Sequence, residues 1–150
     1  MRYLRAYPVH LLKDRLNIDK VIIHTDGAAR GNPGPAAIGV TIKDQNGTLI
    51  ARISQRIGST TNNQAEYRAI IAALEKAASL GARQVTVKSD SELVVKQIQG
   101  RYRVKNTALR PLYQKIVQLI GSLDGFSITS IPRTKNTEAD KLANKALDNV

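Results

Sequence analysis

The sequence contains no cysteine. Disulfides and thiolate metal sites are therefore excluded, and the chain fits a reducing compartment. No apolar run approaches the ~20 residues that a helix needs to span a bilayer. The N-terminus also lacks the uninterrupted apolar core of a secretory signal. These absences lead to the expectation of a cytoplasmic protein that does not engage a membrane. Acidic residues are scarce as well. Against 23 Lys and Arg stand only 12 Asp and Glu, a net charge of +11, which favours either a polyanionic partner or simply a basic surface.

The basic residues are unevenly placed. Residues 101–115 hold Arg101, Arg103, Lys105, Arg110 and Lys115 with no acid, interleaved with Tyr102 and Tyr113. Residues 1–20 form a basic N-terminal extension whose pattern leaves a short helix, an extra strand and a flexible arm equally open. Residues 21–150 read as one domain without repeats, low-complexity tracts or linkers, long enough to bury a core unaided.

Within that domain the stretch VIIHTDGAARGNPG at 21–34 organises the rest. Val21, Ile22 and Ile23 begin a central strand that delivers Asp26 to its end, just before Gly27. A glycine- and proline-punctuated loop, 31–35, follows. Ile38, Val40 and Ile42 then alternate with Gly39, Thr41 and Lys43 as a half-buried strand. The turn residues 44–47 lead into a returning strand with Leu49, Ala51, Ile53 and Ile57 on alternate positions. From 62 to 80 the apolar spacing becomes helical, with Gly81 as the stop. A strand ending at Asp90, a short helix over 91–99, an amphipathic helix over 107–123 with Pro111 in its first turn, a strand over 126–131 and a helix over 136–147 complete the pattern. The expected fold is an α/β mixed five-stranded sheet, three antiparallel strands then two parallel, with helices on both faces. Right-handed crossovers bring strand four beside strand one and make Asp26 and Asp90 neighbours.

Glu66 and Asp140 lie at helix starts that would face the same sheet edge. Each acid has a purely structural explanation too: Glu66 follows Asn63, and Asp140 follows Thr137, at capping-box spacing, and Asp90 is placed to cap the helix after it. Gathered together, however, four carboxylates repel unless a cation neutralises them. Hard oxygen ligands select Mg²⁺ or Mn²⁺, and two such ions suit in-line phosphodiester hydrolysis.

The strings TDGAARGNPGPAAIG, STTNNQAEYRAIIAALEKA, KSDSELVVKQIQG and NTEADKLANKA resemble the four signature segments of the type 1 ribonuclease H family, in that family's order and spacing across residues 20 to 148. The resemblance implies an RNase H-like fold in which Asp26, Glu66, Asp90 and Asp140 hold two Mg²⁺ ions, with Mn²⁺ as a substitute. It implies a monomeric endoribonuclease that cuts the RNA strand of RNA/DNA hybrids, leaving 5′-phosphate and 3′-hydroxyl ends. Gly27, Asn62 and Asn63 would meet the RNA strand in the minor groove, and Asn32 and Thr61 would grip a DNA phosphate. The chain departs from the family in three places. The loop 132–136 lacks the usual histidine, His10 and His24 being the only ones, and Arg133 is expected to take part of its role. Glu92 stands where relatives often carry Gln in contact with RNA. The run 100–109 is too short for the basic handle helix of some members. Two other readings stay open: a non-catalytic nucleic-acid-binding domain of the same fold, and a metal nuclease acting on double-stranded RNA or DNA junctions.

Overall fold

A computed structural model describes residues 18–149. Residues 1–17, nearly all of the N-terminal extension, lie outside the described residues, as does residue 150. Ile18 is already buried in the core. The strands are β1 (Lys20–Ala29), β2 (Gly34–Asp44), β3 (Leu49–Thr60), β4 (Gln84–Ser89) and β5 (Gly125–Ser130). The helices are α1 (Asn62–Ser79), α2 (Glu92–Ile98), α3 (Arg110–Gly121) and α4 (Thr137–Asp148), with a 3-10 turn at Arg133–Lys135. The sheet runs β3-β2-β1-β4-β5. β1 to β3 are antiparallel and β4 and β5 run parallel to β1, as the strand pattern predicts.

The stiff β-branched side chains that open β1 place it at the centre. Val21 and Ile23, with Val40, Ile42, Val85 and Val87 on the neighbouring strands, pack against Tyr67, Ile70 and Leu74 of α1 and Ile116 of α3 in one buried cluster. α4 covers β1, β2 and β3 from the opposite face. It approaches closely because its contact residues are alanines and because Gly39 has no side chain: a Cβ there would lie 2.0 Å from the Ala139 carbonyl oxygen.

Several local expectations are corrected. β1 does not end at Asp26 but runs on through Gly27 to Ala29. Its pairing with β2 continues to Ala29 opposite Ala36, while its pairing with β4 stops at Thr25 opposite Ser89. The loop after β1 is accordingly shorter, and Gly34 and Pro35 belong to β2. β2 is buried on both faces rather than one, because α4 covers the side that alternation assigns to solvent. In β3 the simple alternation fails at register shifts that leave Ile50 and Ile57 without a partner on β2. Such bulges reverse which side chains face inward: Ile50, Ala51 and Ile53 touch the core, and Leu49 is 44% exposed. α3 begins at Arg110, later than the periodicity indicates, with Pro111 in its first turn as expected.

Candidate active site

Asp26 lies one residue beyond the last β1–β4 pair, so its side chain projects where the sheet splits, on the face that carries α4. The next residue, Gly27, lets the first turns of α1 press onto β1. A Cβ on Gly27 would lie 2.2 Å from the Ala65 carbonyl carbon. This approach brings Glu66 to the strand, where its Oε1 accepts a 2.5 Å hydrogen bond from the Gly27 N–H.

The structural explanations for the acids do not hold. α1 is capped by Thr61 and Gln64, which exchange side-chain to backbone hydrogen bonds, so Glu66 takes no part. Ser91, not Asp90, caps α2. Thr137 is the first residue of α4, and the residue before it, Asn136, makes no side-chain capping bond. Freed from these duties, Asp26, Glu66 and Asp90 each offer a carboxylate oxygen, all within 4.8 Å of one another. Asp140 is outside that group but beside it: it shares a side-chain hydrogen bond with Asp26 and its charge acts on Asp26. His24 does not join the cluster.

Burial pushes the Asp26 carboxyl up to about 7, helped by the negative charges of Asp90 and Asp140 and opposed by Arg133. Burial also holds Glu66 well above the usual carboxylate range, and the charges of Asp26 and Asp90 add to it. The Gly27 N–H and Arg133 pull the other way. A cluster in this condition carries more negative charge than the Gly27 N–H and Arg133 offset. An all-carboxylate donor set with that deficit fits a hard divalent cation.

The remaining predicted residues divide. Asn62 accepts the Ala29 N–H through Oδ1 at 2.9 Å, leaving its amide donors for a ligand. Asn32 accepts the Asn62 N–H at 3.1 Å, and Thr61 accepts the Gln64 N–H at 3.2 Å. Asn32, Thr61, Asn62 and Asn63 line one recess of about 450 Å³. Arg133, exposed in the 3-10 turn, lies within electrostatic reach of Asp26 and Glu66. Glu92 is instead an exposed residue of α2, paired with Lys96 at 3.3 Å. The Gly27 N–H is taken by Glu66, so only its carbonyl remains for a ligand.

Two residues escaped sequence reasoning. Asn106 lines the asparagine recess from the loop before α3; its side chain also accepts the Ala108 N–H at 2.8 Å. Asn136 is 1% exposed and donates through Nδ2 to Asp90 Oδ2 at 2.9 Å. The available signal was a polar residue at a helix start, which caps far more often than it does this.

The family model described as "Reverse transcriptase-like" matches residues 24–146. The chain is 45% identical over 129 residues to Ribonuclease HI of Halobacterium salinarum, covering 86% of this chain and 65% of that protein. It therefore spans just under two thirds of that relative's length. The crystal structure of RNase H1 from the same archaeon superposes with a TM-score of 0.85 at 44% identity, covering 87% of this chain and 99% of that one. LC11-RNase H1, solved in complex with an RNA/DNA hybrid, gives a TM-score of 0.82 at 46% identity, covering 85% of this chain and 96% of that one.

Proposed function

The chain belongs to the type 1 ribonuclease H family, and from that premise we propose that it is an endoribonuclease that hydrolyses the RNA strand of RNA/DNA hybrids. The observation that carries the reading is the convergence of Asp26, Glu66 and Asp90, oxygens within 4.8 Å, in a chain of net charge +11. Generic basicity would draw a polyanion to any part of this surface. A negative cluster inside it serves only a ligand that arrives with cations.

Asp26, Glu66, Asp90 and Asp140 are the proposed holders of two Mg²⁺ ions, with Mn²⁺ as a substitute. When bound, such ions neutralise the scissile phosphate, promote attack by water and stabilise the departing 3′-oxygen, giving 5′-phosphate ends. The chain's own groups do the rest. The Gly27 N–H holds Glu66 in one orientation. The amide donors of Asn62 and Asn63 are suited to the 2′-hydroxyls that distinguish RNA from DNA, and Asn32 and Thr61, on the same recess, to a phosphate of the other strand. Arg133 offers a positive charge beside the acids to the phosphate that reaches them. The relative LC11-RNase H1, crystallised with a hybrid, supports this choice of substrate.

A panel of end-labelled hybrid, double-stranded RNA and DNA junction at fixed salt, each with Mg²⁺ and then with EDTA, tests the proposal. Mg²⁺-dependent cutting of the RNA strand of the hybrid alone is expected. Binding without metal-dependent cutting would replace it with a non-catalytic module, and cutting confined to another substrate with a different nuclease.

A further inference from the structure

We propose that Asn136 is the positioning residue of the acidic site, its side-chain amide fixing the Asp90 carboxylate against the strand that carries Asp26. The inference rests on reading the acids as a cation-binding nuclease centre. Asn136 occupies the capping position of α4 but makes no capping bond with its side chain. Asparagine is favoured at that position because its side chain satisfies a free helical N–H; here the amide is turned elsewhere. Its Nδ2 donates to the Thr25 carbonyl and to Asp90 Oδ2, both at 2.9 Å. Its backbone carbonyl accepts the Asp140 N–H at 3.2 Å. One residue thus touches the peptide unit leading into Asp26, the carboxylate of Asp90 and the backbone of Asp140.

The chemistry of the amide explains why this residue type is needed. A primary amide nitrogen carries two hydrogens and serves both acceptors at once, whereas a hydroxyl has one and a carboxylate has none. The amide oxygen, buried, has no hydrogen-bond partner among the described residues. An unsatisfied buried acceptor is destabilising, so the side chain is held by its two nitrogen bonds alone. A neutral donor also suits the task. It occupies one oxygen of Asp90 without cancelling the charge, as Lys or Arg would, and leaves the other oxygen to a cation.

The test compares the wild type with Asn136→Ala, the near-isosteric, uncharged and donor-free Asn136→Leu, Asp90→Asn and the double variant Asn136→Ala/Asp90→Asn. Melting temperature with and without Mg²⁺ is read alongside the Mg²⁺ concentration for half-maximal hybrid cleavage and the separate kcat and KM. Both single Asn136 variants are expected to need on the order of 10- to 100-fold more Mg²⁺, with KM for hybrid unchanged and a smaller Mg²⁺-induced rise in melting temperature. In the Asp90→Asn background, removing Asn136 should change that rise no further. A lowered melting temperature with wild-type Mg²⁺ dependence, or effects that simply add in the double variant, would reduce Asn136 to a structural residue and overturn the inference. Should the wild type fail to cut hybrid at all, the nuclease reading falls, while the melting arms still decide whether Asn136 and Asp90 act as a unit toward the cation.

Discussion

Replacing Asp26 by the isosteric, uncharged Asn should stabilise the metal-free protein, and only above a definable pH. The Asp26 carboxyl is raised from an ordinary 3.8 to about 7. A carboxyl with a higher pKa folded than unfolded keeps its proton preferentially in the native state. Its contribution to stability is therefore complete below about pH 4 and lost as the pH rises through about 7. At about 1.4 kcal/mol per pH unit, ionising Asp26 costs the fold up to about 4 kcal/mol at pH 8. For a chain of this size that corresponds to a melting difference on the order of 10 °C. Thermal and urea unfolding in EDTA, from pH 4 to pH 8.5, would compare wild type with Asp26→Asn. The variant should gain on the wild type progressively with pH and the two should converge near pH 4. Saturating Mg²⁺ at pH 8 should then restore the wild type by mass action, by about 2.7 kcal/mol at a hundredfold excess over Kd. A wild-type-minus-variant difference that is flat across the range, or a variant less stable at pH 8, would refute the account of crowded, unrelieved charge.

Two further substitutions probe how the fold delivers the acids. Gly27→Ala places a Cβ 2.2 Å from the Ala65 carbonyl carbon; backbone cannot yield there cheaply, so a loss of about 3 kcal/mol or more is expected in chemical denaturation, together with loss of cleavage as Glu66 is pushed away. Thr61→Ala removes the α1 cap, and a loss of about 1 kcal/mol should appear in the same assay.

The sheet was readable because its signals are local and repeated: alternation in β2, the turn residues after Asp44 and the switch to helical spacing at α1 each imply the next strand's direction. Right-handed connection then leaves one arrangement of β4 beside β1. The convergence of Asp26 with Asp90 follows from that topology. What escaped was set by contacts between distant segments. Nothing near Ile50 marks a bulge, whereas Gly58 beside Ile57, at φ +84°, is the residue type a bulge favours; simple alternation nevertheless assigned the inward face of β3. Gly39 looked like the solvent side of a half-buried strand because α4, which covers it, lies a hundred residues away. Caps were misread for a related reason. Thr61 with Gln64 competes with Asn63 and Glu66 at the same spacing, and only the docking of Glu66 onto Gly27 separates them. Asn136 is the extreme case, since its partners are on β1 and after β4.

The central claim is that gathered acids cut the ribose-bearing strand through divalent ions, and wild type beside Asp90→Asn on one labelled RNA/DNA hybrid tests it most directly, with binding and cleavage measured together. Metal-dependent cutting by the wild type, abolished in Asp90→Asn while hybrid binding persists, is the predicted result. An Asp90→Asn protein that turns over hybrid at the wild-type rate, or a wild type that cuts equally well in EDTA, would contradict it.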